Sequence, residues 1–234
     1  VVREDSLIDA ASAMVEEGAT VLDIGGRSTW PLAEPISKEI ERERLLPAID
    51  ALAGNVDAVL SVDTVFADIA DECLDRGADI VNDVSGFMTD ENMVDVVADH
   101  ECPAVVMASR KVPGDVLGMD AVMDSLEAII ELCEGRGIDT DRLILDPAIG
   151  KWVPEKDPIY DLETFDRFER LQIFGKPVLA ALSRKSFIGE VLNKSADERL
   201  YGSLAATAIA VHKGAHIIRT HDVAATTDAV RIAE

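Results

Sequence analysis

Sulfur chemistry is nearly absent from this chain. Cys73, Cys102 and Cys133 are odd in number and widely spaced, and no Cys-x-x-Cys pair occurs. That pattern supports neither a disulfide framework nor a zinc site, so the three are read as small core residues. Positive charge is scarce too: 22 Lys and Arg stand against 45 Asp and Glu, a formal net charge of −23. The acids are spread over residues 39–43, 68–75 and 90–99 instead of forming one tail. Such a surface repels nucleic acid and anionic membranes, and neither is expected as a partner. A carboxylate-rich, lysine-poor surface suits a high-salt cytoplasm, where ions screen its self-repulsion. No apolar run approaches the ~20 residues of a membrane helix, and the opening Val1-Val2-Arg3-Glu4-Asp5 does not read as a signal peptide. A soluble cytoplasmic protein is expected. Also missing are Gly-x-Gly-x-x-Gly, Gly-x-Ser-x-Gly and a Ser/His/Asp triad, so dinucleotide binding by a Rossmann fingerprint and acyl transfer lack support.

What is present is a repeating unit. With 234 residues, 48% of them apolar, the chain can bury one sizeable core, and no composition shift marks a linker, so residues 1–234 are read as one domain. The clearest stretch is Arg142-Leu143-Ile144-Leu145-Asp146-Pro147-Ala148-Ile149-Gly150. Leu143 to Leu145 lack polar alternation, the pattern of a strand covered on both faces. The run stops at Asp146, and Pro147 cannot continue a ladder, so the carboxylate sits at a strand's carboxyl end.

Similar strands are predicted at 20–24, 58–62, 79–81, 104–107, 178–182 and 216–218. Helical segments alternate with them at 4–17, 38–52, 65–76, 91–99, 120–134, 158–171, 197–213 and 224–232. Strict alternation implies a parallel α/β sheet. Seven strands and eight helices, beginning with a helix, favour a (β/α)8 TIM barrel whose first strand is expected upstream of Val1. An open doubly wound sheet is the alternative.

Polar residues then fall into register. Asp23, Asp63, Asn82, Asp83, Ser109, Arg110, Asp146, Ser183, Lys185, Arg219 and His221 all lie at or just past strand ends. In a barrel those ends share one face, where active sites of this fold sit. Asp63, Asn82 and Asp146 offer acceptors for a ring bearing paired N–H donors, such as an amino-pyrimidine. Asp23 either joins them or caps the glycine turn, and Asp83 is read as structural. Arg219 and His221 alternate along the chain and suit phosphate or pyrophosphate.

The motifs Asp23-Ile24-Gly25-Gly26-x-Ser28-Thr29-x-Pro31, Ser61-Val62-Asp63-Thr64, Val81-Asn82-Asp83-Val84, Leu145-Asp146-Pro147-x-Ile149-Gly150, Ser183-Arg184-Lys185-Ser186-Phe187-Ile188-Gly189 and Arg219-x-His221-Asp222-Val223 stand in that order. Together they resemble the dihydropteroate synthases. The resemblance implies a (β/α)8 barrel that joins 6-hydroxymethyl-7,8-dihydropterin diphosphate to p-aminobenzoate and releases pyrophosphate with Mg²⁺ assistance. It implies that Asp63, Asn82 and Asp146 hold the pterin, with Met107 beside them. Lys185 borders both substrates and Ser183 the aminobenzoate, while Arg219 and His221 bind the diphosphate. Lys185, Arg219 and His221 are the catalytic candidates, and Arg27 and Thr29 lie in a loop that closes over the reaction. A Mg²⁺ ligand is expected before Val1, and a homodimer through barrel helices.

Some positions depart from the family pattern. Arg27 and Trp30 replace an expected Glu and Arg, and Ala108-Ser109-Arg110-Lys111 replaces a segment that usually begins with His. Positive charge at Arg110 and Lys111 suits a larger, phosphorylated arylamine. Two other readings therefore stay open: a pterin-barrel relative using another arylamine or a methyl-pterin, and a non-catalytic pterin-binding barrel.

Overall fold

The protein is described by a computed structural model covering residues 4–27 and 36–234. Helix α1 (Glu4–Glu16) leads into β1 (Val21–Gly25). There follow α2 (Lys38–Leu52), β2 (Val59–Asp63), α3 (Ala67–Leu74), β3 (Ile80–Asp83), α4 (Met93–Asp99), β4 (Ala104–Met107), α5 (Gly118–Gly135) and β5 (Leu143–Asp146). The chain continues through α6 (Pro158–Asp166), β6 (Leu179–Ala180), α7 (Ser186–Leu192), α8 (Leu200–His212), β7 (Ile217–Ile218) and α9 (Val223–Ala233).

Strands β1 to β5 form one parallel sheet in sequential order, and β6 pairs with β7. A parallel bridge from Leu145 to Val178, with the Leu145 amide donating to the Pro177 carbonyl at 2.8 Å, joins the two sets. Among the described residues, seven parallel strands, each followed by a helix and each next to its predecessor, have the architecture of a (β/α)8 barrel.

The apolar strands are explained by two cores. Ile80, Val105, Ile144 and Leu179, with Val21 and Ile217, pack together inside the strand ring. Their chain neighbours Val81, Val106, Leu145 and Ala180 pack outward against helical residues such as Leu45, Ile69, Met93 and Leu126. Successive side chains alternate between the two cores, so β3, β4 and β5 stay apolar on both faces until their carboxyl ends, while β1 and β2 turn polar inside from Asp23 and Ser61 onward. Cys73, Cys102 and Cys133 are buried and unpaired in the outer core. Burial pushes the Cys73 thiol up to about 12 and that of Cys133 to about 11, so both are inert packing groups.

The helices differ from expectation in places. Residues 158–171 do not form one helix: α6 ends at Asp166 and a 3₁₀ segment, Phe168–Phe174, follows. Helix α7 has no counterpart among the predicted segments. With seven residues and a glycine inside, it is too short to show a helical period.

Candidate active site at the barrel mouth

Pairing register decides which side chains share the mouth. Asp23 lies opposite Ser61, Asp63 opposite Asn82, and Met107 opposite Asp146. Partners in adjacent parallel strands point the same way, so each inward column reads apolar below and polar above: Val21 then Asp23, Ile80 then Asn82, Ile144 then Asp146, Ile217 then Arg219.

One side of the mouth is an acid cluster. The Asp23 carboxylate accepts from Ser61 Oγ at 2.7 Å and from Asn82 Nδ2 at 3.0 Å, and pairs with Arg219 Nη2 at 2.6 Å. The same Nη2 donates to Asp63 Oδ2 at 3.0 Å, while Asp63 Oδ1 is buried with no partner. Burial first, and the Asp23 charge second, push the Asp63 carboxyl up to about 7, with Arg219 and Arg27 pulling it back.

Asp146 stands on the adjoining wall, its Oδ1 accepting from the Ala148 amide at 2.7 Å. Burial raises its pKa and Lys185 opposes that. Lys185 faces it, with its ammonium 5.4 Å from the Trp152 ring centroid and its pKa lowered by burial against the pull of Asp146. Gly150 has φ +134°, and a Cβ there would lie 2.8 Å from Lys185 Nζ, so only glycine leaves this path open. Trp152 Nε1 and Ser186 Oγ, like Asp63 Oδ1, are buried without a hydrogen-bond partner. Orphan polar atoms of this kind are unmet bonds that a ligand can complete.

Helix α8 holds the Lys185 turn. Arg184 takes φ +58°, its amide donates to Ser203 Oγ at 2.9 Å, and its carbonyl accepts from Arg199 Nη1 at 3.0 Å. Gly189 permits this, because a Cβ there would overlap the Arg199 guanidinium. Arg184 also forms a two-bond pair with Asp222 at 2.6 and 3.1 Å, tying the turn after β6 to the turn after β7. Across that tie, Ser183 Oγ lies 2.9 Å from His221 Nδ1 and accepts from the His221 amide at 3.3 Å. Burial lowers the His221 pKa, and Arg184 and Arg219 add to the effect.

Asp63, Asn82, Asp146, Lys185 and Arg219 are thus gathered at one mouth, with Ser183 and His221 paired beside it. Met107 reaches the same wall but is fully buried. Arg219 and His221 do not act as a pair here: the guanidinium turns to the acids and the imidazole to Ser183. Arg27 sits on the α2 side, 3.7 Å from Glu41 and 5.8 Å from the Phe66 centroid. Thr29 and Trp30 lie outside the described residues. Asp83 is structural, as its carboxylate accepts the Ser85 amide at 2.7 Å and the Phe87 amide at 3.2 Å. Arg110 points away to Asp124 at 3.3 Å, and Asp115 takes the amides of Arg110 and Lys111. That turn therefore presents the Arg110 charge to solvent. Asp23 was the acid left open by sequence, and its engagement with Ser61, Asn82 and Arg219 could not be read from a strand-end aspartate alone.

The sequence profile of pterin binding enzymes matches residues 2–221. The dihydropteroate synthase of Bacillus subtilis is 38% identical over 94% of this chain and 78% of its own. A dihydropteroate synthase from Coxiella burnetii, solved in complex with pteroic acid, superposes with a TM-score of 0.90 at 36% identity, covering 99% of this chain and 85% of that one. The Xanthomonas albilineans dihydropteroate synthase with 4-aminobenzoic acid gives 0.87 at 37% identity, with 96% and 83% covered. With its strand order, its mouth residues and these likenesses in agreement, the chain belongs to the pterin-binding enzyme family.

Proposed function

We propose that this mouth joins 6-hydroxymethyl-7,8-dihydropterin diphosphate to p-aminobenzoate, releasing pyrophosphate and giving 7,8-dihydropteroate, a transferase step of folate biosynthesis. The observation that carries this reading is the facing of two chemistries across one cleft. Asp63, Asn82 and Asp146 line one part with acceptors, Lys185 and Arg219 supply cations, and Asp63 Oδ1 is an unmet acceptor among them. The acids and Asn82 hold the N–H-rich pterin edge, with Met107 beneath.

The bond between the pterin methylene carbon and the diphosphate oxygen breaks, and its electron pair leaves on pyrophosphate. Arg219 and His221 stabilise that leaving charge once Arg219 releases the acids. The neutral arylamine nitrogen then attacks the methylene carbon and loses a proton. Lys185 and Ser183 border the amine.

Mg²⁺, when bound to the diphosphate, neutralises charge on the leaving group. Among the described residues no group of three His, Cys, Asp or Glu side chains is placed to hold a metal, so no step here runs through one.

Two further parts of the reading concern context. A homodimer is supported by Tyr201, 79% exposed, and Ile209, 45% exposed, on α8, and by Ile232, 89% exposed, on α9. Sedimentation at twice the chain mass is expected, and a monomer would remove this part. A cytoplasmic, salt-adapted setting is supported by three unpaired buried cysteines and the net charge of −23.

Incubation with the two substrates tests the central claim. Dihydropteroate and pyrophosphate in equal amounts are expected. Turnover only with another arylamine would redirect the assignment, and pterin binding without pyrophosphate release would reduce the protein to a binding barrel.

A further inference from the structure

Lys156 is a lysine only 2% exposed, and no step described above uses it. Its Nζ donates to the Ala148 carbonyl at 2.6 Å and lies 3.5 Å from Asp161 Oδ1. Asp161, on α6 and equally buried, accepts the Gly150 amide at 2.9 Å. One lysine and one aspartate thus grip both ends of the 148–150 segment that follows Asp146.

The gripped segment has unusual backbone. Ala148 takes φ +60° and Gly150 φ +134°. For alanine the left-handed region is sterically disfavoured, so the surroundings must impose it. Two site features depend on it: the Ala148 amide fixes the Asp146 carboxylate, and Gly150 leaves room for the Lys185 ammonium.

Packing alone does not call for a charge in this place, because burying an ammonium is costly and a methionine fills similar volume. The charge has an effect that methionine lacks. The cations whose charge acts most on Asp146 are, in order, Lys185 from the turn after β6, Arg219 from the end of β7 and Lys156 from the loop after β5. Lys156 is itself faced by Asp161 and Asp146, and it also opposes the charge of Lys185.

We propose that Lys156 and Asp161 are positioning residues that lock the 147–150 turn and supply the field under which Asp146 grips the pterin ring. The inference rests on the reading above that Asp146 binds a pterin. It predicts effects of opposite sign from the two partners. Lys156→Met removes a cation that favours ionised Asp146, so protonation of Asp146 moves to higher pH. Asp161→Asn keeps an oxygen for the Gly150 amide but leaves Lys156 uncompensated, so protonation moves to lower pH.

The experiment titrates 6-hydroxymethylpterin binding to the full chain by ligand fluorescence from acid to neutral pH; Asp63 titrates in the same range, so the Asp146 midpoint is the one that Asp146→Asn abolishes and Asp63→Asn keeps. For Lys156→Met the acid-side midpoint is expected to rise by roughly half a unit or more, with affinity down about tenfold. For Asp161→Asn the midpoint falls. In turnover, Lys156→Met raises KM for the pterin substrate and leaves that for p-aminobenzoate unchanged. Should Lys156→Met not fold, Lys156→Arg and Asp161→Asn carry the test: Arg keeps the wild-type midpoint whatever its affinity. Midpoints that stay put, or move in the same direction in the two charge-removing variants, overturn the inference. Pyrophosphate release by the wild-type chain is scored separately, so failure of the reaction and failure of the positioning role are told apart. A wild type that binds no pterin overturns both.

Discussion

Arg219 and Asp63 stand 156 residues apart in the chain and meet at 3.0 Å across the barrel mouth. The ordinary carboxyl value of 3.8 is raised in Asp63 to about 7 despite that contact, because burial and Asp23 outweigh it. Between those values the folded protein keeps a proton that the unfolded chain has lost. Stability therefore declines as pH rises through this window, and the full cost stands above about 7. Asp63→Asn, which never ionises, should raise the unfolding free energy by roughly 1–4 kcal/mol at pH 8. The gain should fade toward pH 4, while turnover drops at every pH. Denaturant titrations at pH 4, 6 and 8 check this, and a gain independent of pH would be inconsistent with a buried ionisation.

Asp146 accepts one backbone amide through Oδ1, which leaves Oδ2 for a ligand donor. Asp146→Asn replaces a charged acceptor by a group that presents its own N–H. A loss of roughly 2–3 kcal/mol of transition-state binding, about 30- to 150-fold in kcat/KM for the pterin substrate, is expected. KM for p-aminobenzoate should change less than twofold. Equal losses in both substrates would place Asp146 elsewhere in the reaction.

Two glycines with positive φ offer a matched comparison. A Cβ on Gly150 would lie 2.8 Å from Lys185 Nζ, whereas one on Gly137, φ +81°, meets nothing within 4 Å. Both alanine variants bear backbone strain of about 1 kcal/mol. Only Gly150→Ala should also displace Lys185, cutting turnover at least tenfold. Melting curves and initial rates on the pair separate strain from site damage.

The acidic surface carries a salt prediction. Screening a net charge of −23 should raise the unfolding midpoint by more than ~5 °C between low salt and molar KCl, equivalent to roughly 2 kcal/mol in a domain of this size. A midpoint that stays level or falls would mark an ordinary acidic enzyme.

Much of this site was legible in the sequence because a parallel barrel forces apolar residues onto both faces of its strands, so a strand's polar end stands out. Asp146 after Leu143-Ile144-Leu145 and Arg219 after Ile217-Ile218 are the clearest cases. Lys156 was invisible for the opposite reason: in Pro154-Glu155-Lys156-Asp157-Pro158 it reads as a solvated loop charge, and only tertiary packing buries it. Arg110 and Lys111 were drawn toward the mouth by position, but Asp115 captures their amides and Asp124 holds the Arg110 side chain outside. Asp23 could be placed at a strand end, yet its partners Ser61 on β2, Asn82 on β3 and Arg219 just past β7 are far off in the chain and leave no local trace.

The bond between Asp23 on β1 and Arg219 just past β7 gives this protein an internal proof of assembly. A nascent polypeptide still short of its last strand can bury most of its core and yet lack both Arg219 and His221, the groups assigned to the diphosphate. Catalysis begins only when the ring of strands has been drawn round, so recovered activity after refolding reports ring closure and not mere collapse.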